Sequence, residues 1–270
     1  MQLLNGSGIL LENALINSRH LDRAVIVDFY LPQNIQEPSD LNLLLINDGQ
    51  NMEELRLLPM LSALHEKGEI KPLLCAAIHA GTDRKMEYGV ASQADYLGRG
   101  ARAADYGRFI REELLPYIYN TYRIRGFAEM AFAGFSLGGI TALDMVWQHP
   151  ELFRKAGVFS GSLWWRSIDQ DDPAYDDHLH RIMHQEIRKG RFNPGQRFFF
   201  QSGNKDETFD RNNNGIIDSI DDTLDLIAEL TAKGYDPQQD IFYLELPEGR
   251  HDIPTWAEAM PVFLKWGWGK

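Results

Sequence analysis

The stretch Ala128-Glu129-Met130-Ala131-Phe132-Ala133-Gly134-Phe135-Ser136-Leu137-Gly138-Gly139-Ile140-Thr141-Ala142-Leu143 decides the fold. Met130 to Ala133 is an apolar run of strand length, and Leu137 to Gln148 reads as a helix. Between them stands Gly134-Phe135-Ser136-Leu137-Gly138, a G-x-S-x-G pattern. A serine on so sharp a strand-to-helix turn sits in strained backbone and needs small neighbours, which Gly134 and Gly138 supply. The first N–H groups of the following helix, with its positive dipole end, face the place where an attacked carbonyl oxygen gains charge. The pattern alone is weak, because a small-residue turn also serves tight strand–helix packing. The strand before it and the helix after it make Ser136 the candidate nucleophile.

Outward from this turn, strand-like and helix-like segments alternate. Ala24 to Leu31, Leu41 to Ile46, Pro72 to Ile78, Ala128 to Ala133, Ala156 to Phe159, Arg197 to Gln201 and Asp240 to Leu246 read as strands. Asn51 to Lys67, Arg102 to Tyr122 (interrupted near Pro116), Leu137 to Gln148, Asp222 to Lys233 and Thr255 to Trp266 read as helices. Such alternation without linker or repeat predicts one mostly parallel sheet with helices on both faces, forming a single domain over residues 1–270, and the G-x-S-x-G turn within it points to the α/β-hydrolase fold. Residues 162–194 break the rhythm and read either as a cap over the site or as a long surface connection.

Composition narrows the function. Of 270 residues, 44% are hydrophobic and 24% charged, which suits a soluble globular protein with a sizeable core. A formal net charge of −12 argues against nucleic acid and anionic membrane surfaces as partners. No apolar run reaches the length of a membrane span, and Met1-Gln2-Leu3-Leu4-Asn5-Gly6 lacks the basic and apolar regions of a leader. The expectation is a cytoplasmic protein. Cys75 is the only cysteine and reads as a buried strand residue.

A neutral serine needs a histidine base, and the base needs an orienting acid. In this fold the acid and then the histidine follow the serine. His251 has the right place, after the last strand and before the C-terminal helix. His149 lies at the far end of the helix after Ser136, about 18 Å along it at roughly 1.5 Å per residue. His178, His180 and His184 fall in the irregular segment. His180 and His184 have metal-ligand spacing without an HExxH glutamate, so they read as a solvated polar face. The loop Ser202-Gly203-Asn204-Lys205-Asp206-Glu207 offers two acids; Asp206 is the first choice and Glu207 the alternative. Leu137 and Gln50 would supply the oxyanion-hole amides, Gln50 from the loop Asp48-Gly49-Gln50-Asn51. Trp164, Trp165 and Tyr88 could line an aromatic pocket or simply pack in the core.

With these residues in place, the chain resembles the putative esterase (esterase D-like) family of α/β-hydrolases, which includes enterochelin and other siderophore esterases, feruloyl esterases and mycolyltransferases. The likeness runs from the Val25-to-Pro32 strand through Ile46-Asn47-Asp48-Gly49-Gln50 and the Ser136 turn to Gly249-Arg250-His251-Asp252. Feruloyl-type members carry the acid on a Gly-Thr-Asn-Asp turn, and Gly203-Asn204-Lys205-Asp206 resembles it, which favours Asp206. Mycolyltransferase-like members use a glutamate one place later, which keeps Glu207 open. Arg250 departs from the glycine usual before the histidine. The resemblance implies hydrolysis of a small-molecule carboxylic ester through an acyl-enzyme on Ser136, with no organic cofactor. Acyl transfer to an alcohol on the same intermediate, or an inactive calcium-dependent binding module, are the alternatives.

A second motif follows the acid. Asp210-Arg211-Asn212-Asn213-Asn214-Gly215-Ile216-Ile217-Asp218-Ser219-Ile220-Asp221 matches an EF-hand-like calcium loop. Asp210, Asn212, Asn214, Asp218 and Asp221 would supply side-chain oxygens, Ile216 its carbonyl, and Gly215 the sharp turn. The incoming helix is missing, and aspartate replaces the usual last glutamate. A structural Ca2+ here would order the loop bearing Asp206.

Overall fold

Runs of β-branched and aromatic residues become strands because their stiff side chains pack well on a pleated surface. The computed structural model describes residues 8–33 and 38–270. In it, β1 (Ile9–Ser18), β2 (Arg23–Pro32), β3 (Asn42–Asn47), β4 (Leu73–Ile78), β5 (Met130–Phe135), β6 (Lys155–Phe159), β7 (Arg197–Lys205) and β8 (Ile241–Arg250) form one sheet. Its order is β1-β2-β4-β3-β5-β6-β7-β8. β1 and β2 pair antiparallel, as do β2 and β4, and all later pairs are parallel. The expected α/β architecture is therefore present. β1 is the strand absent from the sequence reading: it is a half-exposed edge strand, so no continuous apolar run marks it. The reading of Met1 to Gly6 as lacking the features of a leader lies outside the described residues.

The helices are α1 (Leu57–Glu66), α2 (Arg84–Glu87), α3 (Ala103–Arg108), α4 (Leu115–Tyr122), α5 (Leu137–Gln148), α6 (Asp177–His180), α7 (Ile182–Lys189), α8 (Asp218–Lys233) and α9 (Ile253–Trp268). A π-helical turn at Phe109–Leu114 joins α3 to α4 just before Pro116, so the expected interruption is a change of pitch rather than a break. Strand side chains alternate between two buried cores. Leu43, Leu45, Phe198 and Phe200 meet α5, α7 and α8 on one face. Leu44, Ile46 and Phe199 meet α1 and α9 on the other.

Within residues 162–194, α7 buries Ile182, Met183, His184 and Ile187, and its contact is with the main core. It packs against α8 and α5. The reading of His180 and His184 as a solvated pair needs correction. His184 is 1% exposed, its Nε2 lies 2.9 Å from the Asp222 carbonyl, and burial pushes its pKa down to about 3. His180 Nδ1 instead accepts the Asp176 N–H at 2.9 Å. Cys75 is fully buried, and burial raises its thiol pKa, as expected of a core residue. No described helix is long and apolar enough to cross a membrane.

Candidate active site

In a mostly parallel sheet, the residues just beyond the strand C-termini gather at one edge. Here that edge collects Asp48 to Gln50 after β3, Ser136 after β5, Ser160 and Ser162 after β6, Asp206 after β7 and His251 after β8. Ser136 has φ 54° and ψ −121°, a strained conformation for a non-glycine residue. The turn is held on both sides: Ser136 N–H donates to the Phe159 carbonyl at 2.9 Å, and Ser162 N–H donates to the Ser136 carbonyl at 3.1 Å. A Cβ at Gly134 would stand 2.2 Å from the Gly138 carbonyl oxygen, so the first glycine of the pattern is a steric requirement. The second is also crowded, since a Cβ at Gly138 would meet the Asn47 and Asp48 side chains at 2.9 Å.

The loop after β3 is locked against the same turn. Asn47 Nδ2 donates to the Gly138 carbonyl at 2.8 Å and takes the Tyr106 hydroxyl at 2.6 Å on its Oδ1. Asp48 is 1% exposed and left-handed (φ 63°), and the Arg84 guanidinium grips it in a fork of 2.6 and 2.7 Å. The next residues form a 3₁₀ turn, Gly49–Asn51. A Cβ at Gly49 would come within 2.6 Å of the Ala77 carbonyl, which fixes this backbone path. Gln50 lies in the first turn of that helix and Leu137 at the start of α5, where N–H groups have no intrahelical acceptor. Both amides are thus available at helix starts, although the Gln50 side chain is engaged with Asp48 and the Ala80 N–H.

His251 lies at the surface, with its ring edge-to-face on Trp256 at 5.4 Å between centroids. Desolvation lowers its pKa, the Asp206 charge raises it, and Arg84 lowers it again. Asp206 is half-buried, and neither carboxylate oxygen has a partner of full hydrogen-bond geometry. Burial raises its pKa, while Ser160, the Gly203 amide and His251 favour its charged form. Glu207 turns elsewhere: burial raises its pKa, and it interacts with Ser219, Asp218 and Asp222 at the start of α8. The Ser136 hydroxyl has the Ser162 hydroxyl 3.4 Å away.

Sequence reasoning overlooked Arg84, Ser160, Ser162 and Trp256. A usable signal existed for the serines, because Phe159-Ser160-Gly161-Ser162 closes a strand as Phe135-Ser136 does. The Arg84–Asp48 pair spans 36 positions and leaves no local trace. Of the tryptophans, Trp164 lines a cavity of about 360 Å³ with Tyr96, Arg99, Arg166, Glu207 and Phe209, and Arg99 stacks on its ring at 4.6 Å. Trp165 is wholly buried: a Cβ at Gly89 or Gly100 would come within 2.5 or 2.6 Å of its ring. It contributes packing, not pocket wall. Tyr88 is also fully buried, and its hydroxyl accepts the Asp48 N–H at 3.3 Å.

In the calcium-like loop, Asp210 accepts the N–H groups of Asn214 and Gly215 at 3.1 and 2.9 Å. Asn212 and Asn214 both reach Asp221 Oδ2 at 2.8 Å. Asp218 instead faces Arg211, whose backbone N–H it accepts at 2.8 Å. Among the described residues no group of three or more His, Cys, Asp or Glu is arranged to hold a metal.

Asp144, mid-way along α5, is 2% exposed; its Oδ2 accepts the Ala91 N–H at 2.9 Å and its Oδ1 has no partner. Desolvation raises its pKa to about 7. A carboxyl raised from 3.8 stabilises the fold fully below pH 3.8 and loses that contribution as pH rises to about 7. Asp144→Asn, which keeps the acceptor, should therefore raise the melting temperature at pH 8 relative to wild type and make little difference at pH 4. Equal effects at both pH values would show that Asp144 is not held proton-bound.

A family model described as "Putative esterase" matches residues 18–266. Among solved structures, an enterobactin esterase from Shigella flexneri, determined in the presence of enterobactin, superposes with a TM-score of 0.73 at 20% identity, covering 96% of this chain and 59% of that one. The chain thus spans 59% of the length of those enterobactin esterases. A ferulic acid esterase gives 0.69 at 19% identity, covering 97% of this chain and 98% of that one. The siderophore hydrolase EstA from Aspergillus nidulans gives 0.71 at 15% identity, with 98% and 97% covered. On the family match, with the sheet and the Ser136 turn in agreement, this chain belongs to the putative esterase family.

Proposed function

We infer that the protein is a serine esterase working through an acyl-enzyme on Ser136. The observation that carries this reading is the strained Ser136 at the start of α5, on the sheet edge where Asp206 and His251 also gather. His251, oriented by Asp206, takes the Ser136 proton as the oxygen attacks the ester carbonyl. The Leu137 and Gln50 amides hold the tetrahedral oxyanion, and His251 protonates the departing alcohol. Water repeats the cycle and releases the acid.

The Trp164 cavity adjoins the acid loop through Glu207 and pairs an aromatic ring with the Arg99 and Arg166 guanidiniums. This chemistry suits an aromatic, polar-substituted part of the ester. Siderophore and ferulic acid esters, the substrates named for the structural neighbours, belong beside a chain-length series of p-nitrophenyl esters in the assay. Hydrolysis of at least one class at a rate abolished by a fluorophosphonate supports the reading; folded protein inert to all of them contradicts it. Product analysis with added alcohols separates hydrolysis from acyl transfer.

A structural Ca2+ in the loop 210–221 is part of the same reading. Its support is the convergence of Asp210, Asn212, Asn214 and Asp221, with Asp221 in the first turn of α8; Asp218 and the Ile216 carbonyl complete the proposed set. Ca2+ supplies charge that orders the acid loop and takes no part in bond making. Chelation is expected to lower the melting temperature by several degrees and the esterase rate with it, both restored by Ca2+. No change in either, with no calcium copurifying, would remove the ion from the account.

A further inference from the structure

Trp256 packs among residues around the proposed catalytic set. Its ring stacks on Phe135, the residue before the nucleophile, at 4.9 Å, and meets the His251 ring edge-to-face at 5.4 Å. Its indole N–H donates to Ser160 Oγ at 3.0 Å, a buried hydrogen bond. Ser160 follows β6 directly, is 3% exposed, and is held at φ 43° with its N–H on the Gln201 carbonyl of β7 at 2.8 Å. The acid loop leaves that same strand; Ser160 favours the charged form of Asp206, whose buried oxygens have no partner of full hydrogen-bond geometry.

Donor counting gives the direction. An indole N–H only donates, so Ser160 Oγ accepts from Trp256 and keeps its single proton for another acceptor. Asp206 has two buried oxygens in want of donors. A buried carboxylate without partners is costly, and a hydroxyl of fixed orientation relieves that cost most effectively. We propose that Ser160 and Trp256 are positioning residues: the Trp256 indole fixes the Ser160 hydroxyl so that its proton is given to Asp206, which is thereby held toward His251. This rests on the triad reading and deepens it. Trp256 at once restrains the acid through Ser160 and the base through its ring.

The pH profile gives a readout that a purely structural role would not move. Asp206 faces His251, Asp252 and Tyr243, and His251 faces Asp206, Asp252 and Arg84. Removing a donor to the anionic form raises the proton affinity of the coupled Asp206–His251 pair. Catalysis needs neutral His251, so the acid limb of kcat/KM must move to higher pH.

The experiment compares Ser160→Ala, Ser160→Gly and Trp256→Phe with wild type on a p-nitrophenyl ester, and Ser160→Ala in an Asp206→Asn background. Glycine tolerates the positive φ at 160, so at least one hydroxyl-free variant folds without strain. Expected is a fall in kcat of about tenfold with KM nearly unchanged, and an upward move of the acid limb by roughly half a pH unit. In the Asp206→Asn background, Ser160→Ala should lower the rate by less than about twofold, since the two act as one unit. Folded Ser160 variants with unaltered kcat and acid limb, or an equal loss in both backgrounds, would overturn the proposal while leaving the triad intact. Asp206→Asn with wild-type activity would instead remove the triad acid itself, and the proposal with it.

Discussion

Replacing Ser136 by alanine should abolish turnover, with kcat falling by about 10⁴-fold or more and the melting temperature preserved. The nucleophile forms the acyl-enzyme, so its loss removes the two-step route and leaves only the oxyanion amides and substrate binding. The fold does not depend on the hydroxyl, whose neighbour is Ser162 Oγ at 3.4 Å. The positive φ at 136 adds a second expectation. Ser136→Gly removes the same hydroxyl and relaxes the turn, so it should be equally inactive and more stable by about 1 kcal/mol. Activity surviving in either variant would place the nucleophile elsewhere.

Neutralising the two acids of the loop after β7 should have very different results. Asp206→Asn is expected to lower kcat by about 10³- to 10⁴-fold, because the amide neither orients the imidazole correctly nor stabilises its charged form. Glu207→Gln should stay within about threefold of wild type, since Glu207 interacts with Ser219, Asp218 and Asp222 rather than His251. Steady-state kinetics on one ester, with melting curves to confirm folding, checks both. A reversed order would assign the acid to Glu207 and require the loop to turn about when substrate binds.

The parts legible in the sequence were those with a local cause. The Leu137–Gln148 helix appears at its expected bounds, because the glycine pattern fixes its start and the apolar run its extent. The other strands lie within two to four positions of expectation, apart from β1, whose exposed edge hides its periodicity. The start of α8 at Asp218 was misplaced, because the acids read as loop ligands also favour the first turn of a helix. What the sequence concealed was long-range. Arg84 reaches Asp48 only because β3 and β4 are parallel neighbours, and Ser160 and the acid loop come to one sheet edge only because β6 and β7 are. The burial of α7 was hidden for a similar reason: its apolar stripe is short, and only the assembled core shows that it is covered.

Everything said of the chemistry depends on Ser136 being a reactive hydroxyl in the folded protein. Incubation with a fluorophosphonate, followed by intact-protein and peptide mass spectrometry, reads this directly. The expected result is one adduct per chain, on the peptide carrying Ser136, with its rate reduced by competing ester and strongly by His251→Ala. A folded protein that takes no label, or takes it at another residue, would contradict the account.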